Sequence, residues 1–452
     1  MKQRFSSVLR MRRFASWFAM ASVAVLVMLP LAACGGSTSS GSNSSSGTSS
    51  TSSGPVNLTY WSWIPGMDKQ VALFNQAHPN IHVALTNVGS GSVEYDKLFT
   101  AIKANNTPDL AQVEFQLLPT FETTGGLLDL APYGAASVKD QFVPWTWSQV
   151  TLGNSIYAIP QDTGPMGMFY RTDIFQKYHL SVPTTWAEYA DDAAKLHAAD
   201  PNEYITDFPP KNPGWFTGLA WQAGAHWFGT SGQSWKVSIN DAPTQQTATY
   251  WQNLLSKKLI KTEPDFSNGW YHDLQTGSIA TWLTGEWGAG IIPQNAPAAA
   301  GKWRAAPMPQ WQAGQASNGN WGGSSTVVFK DSKHPKEAAT FATWISNNEQ
   351  SAEQEFKGAG AYPALQASLE SAAVNSPLPY YGNQVINDVF KKTAPQVNVN
   401  FLWGPTMNQV YSDMGNNFAN AINGQGTLND ALNATQQSTI SFMQKQGFSV
   451  SQ

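Results

Sequence analysis

The sequence predicts an α/β protein of two domains whose sheets are open and mostly parallel. Two observations carry this. Apolar residues at strand spacing give way to helical spacing and back again along the first part of the folded region, the alternation that builds a parallel sheet. About four hundred residues follow a low-complexity tract that ends at Gly54, too many for one ordinary domain and comfortable for two.

Leu58, Tyr60 and Trp61-Ser62-Trp63 form a first strand that runs into a turn at Pro65-Gly66. Met67, Val71 and Phe74 then recur at helical spacing, and Ile81, Val83 and Leu85 alternate as a second strand. Ser92 is placed to cap a helix whose Tyr95, Leu98, Phe99 and Ile102 make one apolar stripe. Pro108-Asp109 opens a third strand, "DLAQVEF". "SIYAIPQDTGPMGMFYR" (155–171) reads as two extended pieces separated by the breaker Gly164-Pro165. Thr185 and Glu188 make a capping box for the helix "WAEYADDAAKLHAA". Residues 200–235, rich in Pro, Gly and Trp, read as loops with one short helix. The nearly uncharged "GSIATWLTGEWGAGII" (277–292) reads as a buried strand running into a turn. "GGSSTVVFK" is a further strand, Pro335 begins the helix "PKEAATFATWISNN", and the helix "TLNDALNATQQSTISFMQKQG" closes at Gly447.

Charged residues are 12% of the chain, about half the globular norm, whereas Trp occurs 19 times. Setting aside Lys2, Arg4, Arg10, Arg12 and Arg13 leaves 21 Lys and Arg against 30 Asp and Glu, a net charge of −9. That balance excludes a nucleic-acid footprint. An acidic surface rich in Trp, Asn and Gln suits neutral polar ligands, and carbohydrate is the foremost class, with hydroxyls for hydrogen bonds and C–H faces for aromatic rings. The seven histidines are scattered without metal-ligand spacing, and no H-E-x-x-H, G-x-S-x-G or phosphate loop occurs, so neither metal nor cofactor is expected.

The five basic residues precede an apolar stretch and the small pair Ala32-Ala33, the order of a secretory signal. Leu31-Ala32-Ala33-Cys34 resembles the lipobox of bacterial lipoproteins. The resemblance implies that Cys34, the only cysteine, is lipidated and becomes the mature N-terminus. The Gly, Ser, Thr and Asn residues that follow cannot bury apolar area, and as a flexible coil they would reach about 25 Å. Residues 1–33 are therefore expected to be a signal peptide and 34–54 an anchor and tether outside the cell membrane.

Nine segments match a further pattern in order: "LTYWSW", "FNQAHPNIHV", "PDLAQVEF", "GGLLDLAPY", "YAIPQDTGPMGMFYRTDIFQKY", "VPTTWAEY", "KWRAAPMPQW", "GGSSTVVFKDSKHPKEAATFATWI" and the final helix. Together they resemble the extracellular sugar-binding proteins of ABC importers, the group similar to maltodextrin-binding protein. The resemblance implies a two-lobed periplasmic-binding-protein-like α/β fold, each lobe a mostly parallel sheet flanked by helices, joined by hinge strands. It places the first lobe at 55–162 and 322–363, the second at 163–321 and 364–452, and the ligand in the cleft between them. It also implies a monomer that delivers a neutral mono- or oligosaccharide to a membrane permease.

Carried over residue by residue, the resemblance marks Trp287, flanked by glycine at a strand end, as the foremost sugar-stacking residue, with Trp403 as a second. Trp63, Trp321, Trp215 and Trp227 are further aromatic candidates, each of which could equally be core. Asp162, Glu114 and Glu286 are the candidate acceptors of sugar hydroxyls, since a carboxylate takes two adjacent hydroxyls in charge-assisted bonds. Two other readings stay open at this point. Paired acids and aromatics also describe a surface glycoside-active enzyme. The same fold could hold a non-sugar solute, although past residue 33 the chain has only Arg171 and Arg304 with which to grip a phosphate.

Overall fold

The computed structural model describes residues 54–451. The expected signal peptide, the lipidation site Cys34 and the tether as far as Ser53 lie outside the described residues.

Two sheets organise the chain. The first contains β1 (Val56–Trp61), β2 (Ile81–Thr86), β3 (Leu110–Glu114) and β4 (Ala158–Pro160). The second contains β5 (Met166–Arg171), β6 (Thr281–Gly285) and β7 (Trp303–Ala306); β8 (Ser324–Val328) then returns to the first. The order in the first sheet is β2-β1-β3-β8-β4. There β1 is parallel to β2 and β3, while β8 is antiparallel to both neighbours. In the second sheet β5 lies between β6 and β7 and is antiparallel to both. Each sheet thus has one reversed strand, and topology explains which one. β5 and β8 are the strands that enter from the other lobe. A chain crossing over arrives at the cleft, where the native strands end, so it must run the opposite way.

Local sequence accounts for most of the elements. Leu58 and Tyr60 of β1 are buried while Asn57 and Thr59 face water, which is the alternation of a sheet with one covered face. β3, in the middle of its sheet, is buried along nearly its whole length. The capping box forms: Glu188 N donates to Thr185 Oγ1 at 3.2 Å, and Thr185 N donates to Glu188 Oε2 at 3.2 Å. Three details differ from expectation. Helix Ser92–Ala104 begins at Ser92 itself, with Gly91 at the cap position and no side-chain cap. The 200–235 region contains the fully buried helix Pro213–Gln222, and also an antiparallel pair, Phe228–Ser231 with Ser234–Val237. Beyond β6 the chain enters a helix, Gly288–Asn295, rather than a turn. Gly290 permits this, since a Cβ there would lie 2.3 Å from the Ala359 carbonyl.

One hydrophobic core joins β1–β4 and β8 to helices Met67–Ala77 and Pro335–Asn347. A second, larger core gathers β5–β7 with most of the buried tryptophans and helices Pro213–Gln222 and Met407–Ile422. Three extended segments pass between them side by side. Strand Asp162–Thr163 pairs antiparallel with Tyr362–Pro363. On the other flank, Trp321 N donates to the Gly164 carbonyl at 2.8 Å, and Gly164 N donates to Asn320 Oδ1 at 2.9 Å.

Gly164 must stay without a side chain, because a Cβ there would lie 1.9 Å from the Trp321 carbonyl oxygen. Gly164→Ala is expected to lower stability by about 1–3 kcal/mol, the usual range for overpacking. Gly229→Ala, with nothing within 4 Å of its added Cβ, serves as the near-neutral control in the same thermal melts. Equal melting temperatures for the two variants would contradict this packing.

Candidate functional site

A cleft of about 770 Å³ opens between the two sheets at the crossing segments. The ends of β1 and β3 supply Trp63 and Glu114 to one wall, and the loop after β2 supplies Asn87 and residues 89–92. The opposite wall carries Asn212, Asp265, Phe266, Tyr271, Trp287 and Ile291. Asp162 and residues 321–324, from the crossing segments, form the floor.

Trp287 sits where β6 has ended and the next helix begins. Its indole Nε1–H donates to the Trp321 carbonyl at 2.8 Å, which fixes the ring against a crossing segment. The surrounding glycines make the seat. A Cβ on Gly285, Gly322 or Gly164 would lie 2.3, 3.1 or 3.2 Å from that nitrogen. Trp321 meets Trp287 edge-on, with centroids 4.8 Å apart and planes at 73°. Trp282, buried beneath, meets Trp287 in the same manner at 5.5 Å. Across the cleft Trp63 rests edge-on against Tyr95, and its backbone N–H donates to Gln112 Oε1 at 3.3 Å. Gln112 in turn donates from Nε2 to Ser324 Oγ at 2.9 Å, so this wall too is tied to a crossing segment.

The carboxylates are held in place and short of cations. Asp162 Oδ1 accepts the Ser324 N–H, yet burial pushes its pKa up to about 7, with the charge of Glu114 adding to the rise. Glu114 Oε2 accepts from the Tyr95 hydroxyl at 2.8 Å, and burial raises its pKa as well. Asp265 Oδ2 accepts from Asn212 Nδ2 at 2.6 Å, and burial lifts it to about 6. Lys211 is the one cation among the lining residues, and its Nζ is turned to Asn416 Oδ1 at 2.6 Å. Flat aromatic faces next to acceptors that each retain a free oxygen suit a ligand rich in hydroxyl donors and C–H faces.

Of the residues marked from the sequence, the structure brings Trp63, Glu114, Asp162, Trp287 and Trp321 to the cleft. Glu286 lies behind the wall at 1% exposure, with Oε2 unpartnered and its pKa raised well above the usual carboxylate range by burial and then by the charge of Asp162. Trp215, Trp227 and Trp403 are core residues, 2%, 0% and 7% exposed. Trp215 donates to the Leu283 carbonyl at 3.0 Å and packs on Trp251. Trp227 donates to Thr244 Oγ1 at 2.9 Å, and Trp403 lies edge-on to Phe401 and Trp221. An indole whose N–H is satisfied by a neighbouring element serves the core as well as a cleft would. Sequence reasoning did not find Asp265, Phe266, Tyr271 and Asn212. The one signal for Asp265 and Phe266 is "EPDFSNG", a turn sequence in which Phe occupies a place that Gly or Asn usually fills, and Asn212 and Tyr271 carry none.

Comparison with known proteins gives a consistent picture. Residues 60–352 match the family described as bacterial extracellular solute-binding protein. A solved structure, the ABC transporter associated binding protein from B. animalis subsp. lactis Bl-04 in complex with beta-1,6-galactobiose, is 30% identical with a TM-score of 0.81. That similarity covers 88% of this chain and all of the other. The galacto-N-biose-/lacto-N-biose I-binding protein of the ABC transporter from Bifidobacterium longum, solved with lacto-N-biose, is likewise 30% identical. Its TM-score is 0.80, over 88% of this chain and all of that one. The lactose-binding protein of Rhizobium radiobacter is 24% identical over 75% of this chain and 82% of its own length.

The buried acids give the protein a pH signature. Asp162 and Asp265 are raised to about 7 and about 6, Glu94 and Asp207 to about 8, and Glu286 and Glu355 well above the usual range, in each case chiefly by burial. Between roughly pH 4.5 and 8 the folded protein therefore binds more protons than the unfolded chain, whose carboxyls titrate near 4. Stability is expected to be greater at pH 5.5 than at pH 8 and to fall as pH rises through this window. Thermal melts without ligand check this, and a melting temperature that climbs from pH 5.5 to 8 would contradict the burial of these groups.

Proposed function

The chain belongs to the bacterial extracellular solute-binding protein family, and from that premise we propose that it captures a neutral sugar between its lobes for an ABC importer. The observation that carries this reading is the aromatic wall of Trp287, Trp321 and Phe266 beside the acceptors Asp162, Glu114 and Asp265 on the cleft. Pyranose C–H faces lie flat on indole, and carboxylates take hydroxyl protons in charge-assisted bonds. With three acids and one lysine on its walls, the cleft repels phosphates and uronates, which favours a neutral saccharide over an anionic solute. Relatives and structural neighbours whose names or bound ligands are disaccharides and other oligosaccharides support the same class.

The proposed lobes are 55–162 with 322–363 and 163–321 with 364–452, divided at the three crossing segments. A sugar that touches both walls can do so fully only when they approach, so ligand shifts the population toward the closed form. The closed monomer then docks on permease subunits in the membrane, to which lipidated Cys34 tethers it through the Ser/Gly tract. No catalytic step is assigned to the chain, because a receptor must release its cargo unchanged.

Titration with a panel of neutral sugars, uronic acids, amino acids and peptides, followed by tryptophan fluorescence and melting temperature, tests the ligand class. Neutral sugars alone are expected to respond. A response to amino acids or peptides with none to any carbohydrate would overturn the reading. Trp287→Ala is expected to weaken sugar binding by at least about tenfold. Trp215→Ala should instead cost about 3–5 kcal/mol of stability while the affinity of the folded fraction is kept.

A further inference from the structure

Two carboxyl groups that the cleft does not use lie behind it, one from each proposed lobe. Glu286 follows β6 in the second lobe, and its N–H donates to the Pro165 carbonyl of a crossing segment at 3.0 Å. Glu355 stands on helix Glu349–Ala359 in the first lobe, beside Gln161. The elements that carry them meet across the lobes. Helix Gly288–Asn295, which begins two residues after Glu286, seats Gly290 against the Ala359 carbonyl, and its Gln294 Nε2 donates to the Gly358 carbonyl at 2.9 Å. At this joint Glu286 and Glu355 are all but excluded from water, at 1% and 2% exposure. Glu286 Oε2, Glu355 Oε1 and both polar side-chain atoms of the equally buried Gln161 have no hydrogen-bond partner.

No cation answers these groups among the described residues, whose ion pairs all lie elsewhere. Around Glu355, helix Met67–Ala77 turns Asp68 and Lys69 to solvent and offers Gln70, which is taken by the Ser351 hydroxyl. Tyr60 of β1, which also feels Glu94, is the remaining titratable neighbour there. Helix Pro335–Asn347 leaves Lys336 exposed and Glu337 partly exposed in its first turn, and Glu353 pairs with Lys357 on the helix of Glu355 itself. Around Glu286 stand Tyr362 and Tyr381, and helix Gly288–Asn295 carries no charge. Helix Asn268–Thr276, packed on it, has His272 exposed and Asp273 held by Lys261. Asp162, with Glu114 near it, adds only negative charge to both glutamates.

An ionised carboxylate without cation or donors is costly away from water. The joint can therefore stay packed only while its glutamates carry protons. We propose that Glu286 and Glu355 form a proton-operated latch between the lobes, which stays shut when both are protonated and lets water in and the lobes apart when they ionise. The latch rests on the receptor reading in one respect, that the packed form is the one that holds sugar. The sign follows from burial, which raises both glutamates well above the usual carboxylate range, so the packed form keeps protons that the open form releases. Opening therefore grows as pH rises from about 6 to about 9. Sugar and proton favour the same form, so each strengthens binding of the other. Direct contact of sugar hydroxyls with a carboxylate has the opposite sign, because donors favour the charged form and expel a proton.

The test needs no ligand for its first half. Spin labels on the full chain at the exposed positions Asp96 and His272, attached through unnatural amino acids so that Cys34 is left alone, report the distance between the proposed lobes. In the parent the longer-distance population is expected to grow from pH 6 to pH 9. In the double variant Glu286→Gln with Glu355→Gln, which keeps shape and removes the charges, the distances should stay as they are at pH 6, with a melting temperature at pH 8 no lower than the parent's. The single variants should respond in between, and they cover the case in which the double variant folds poorly. The second half is calorimetric titration at pH 8 with lactose, maltose and β-1,6-galactobiose, in buffers of different ionisation enthalpy. The parent is expected to take up protons as it binds. The double variant should take up none and bind at least about threefold more tightly than the parent. Distances in the parent that ignore pH, or an equal response to pH in the variants, would overturn the latch. So would sugar binding that releases protons or leaves them unchanged. PH-driven opening that the variants abolish, with no sugar bound by the parent, would uphold the latch and sink the sugar reading.

Discussion

The site depends on one hydrogen bond and the room made for it. Trp287 can present its indole to the cleft only because its N–H is satisfied by the Trp321 carbonyl and because Gly164, Gly285 and Gly322 leave space around the nitrogen. A half-buried indole N–H without a partner would be costly, and a side chain at any of these glycines would displace the ring. The acceptor carbonyl belongs to a segment that links the two lobes. This wall of the cleft is thereby fastened to the strands that join the two lobes.

The same segments hold the acids. Ser324 N–H anchors Asp162, and Ser324 Oγ takes the Gln112 side chain that positions the backbone of Trp63. Both walls are thus referenced to the strands between them. Burial of Asp162, Glu286 and Glu355 around this hinge raises all three pKa values, with the charge of Asp162 contributing to the other two. Their placement costs stability at neutral pH.

Much of this was legible in the sequence, and what was not has physical reasons. Period-2 and helical patterns marked β1, β2 and their helices because one face of each is buried, whereas β3, buried nearly throughout, was marked by the Pro108-Asp109 that opens it. Trp287 was marked because its glycine-flanked place at a strand end resembles the family segment, and the structure sets it on the cleft wall. Trp215 and Trp227 were left open between cleft and core, because composition cannot tell a Pro/Gly-rich stretch that lines a cleft from one that folds inward on a neighbour's carbonyl or hydroxyl. The reversal of β5 and β8 follows from which lobe the chain arrives from, and no local pattern carries that. Phe266 escaped notice because a single Phe in a turn is unremarkable until its φ and its neighbours are known. The helix after Trp287 was read as a turn because Gly288, Gly290 and Pro293 are weak helix formers, and close packing on Ala359 overrides that preference.

The fastening of Trp287 to the crossing segment matters only if that ring is where ligand rests. A crystal structure of the protein grown with the tightest-binding neutral sugar tests this most directly. The account expects a pyranose face stacked on the Trp287 indole at about 3.5–4 Å, hydroxyls on Asp162 or Glu114, and the bond to the Trp321 carbonyl preserved. A sugar bound elsewhere, or one held in the cleft without touching that indole, would contradict it.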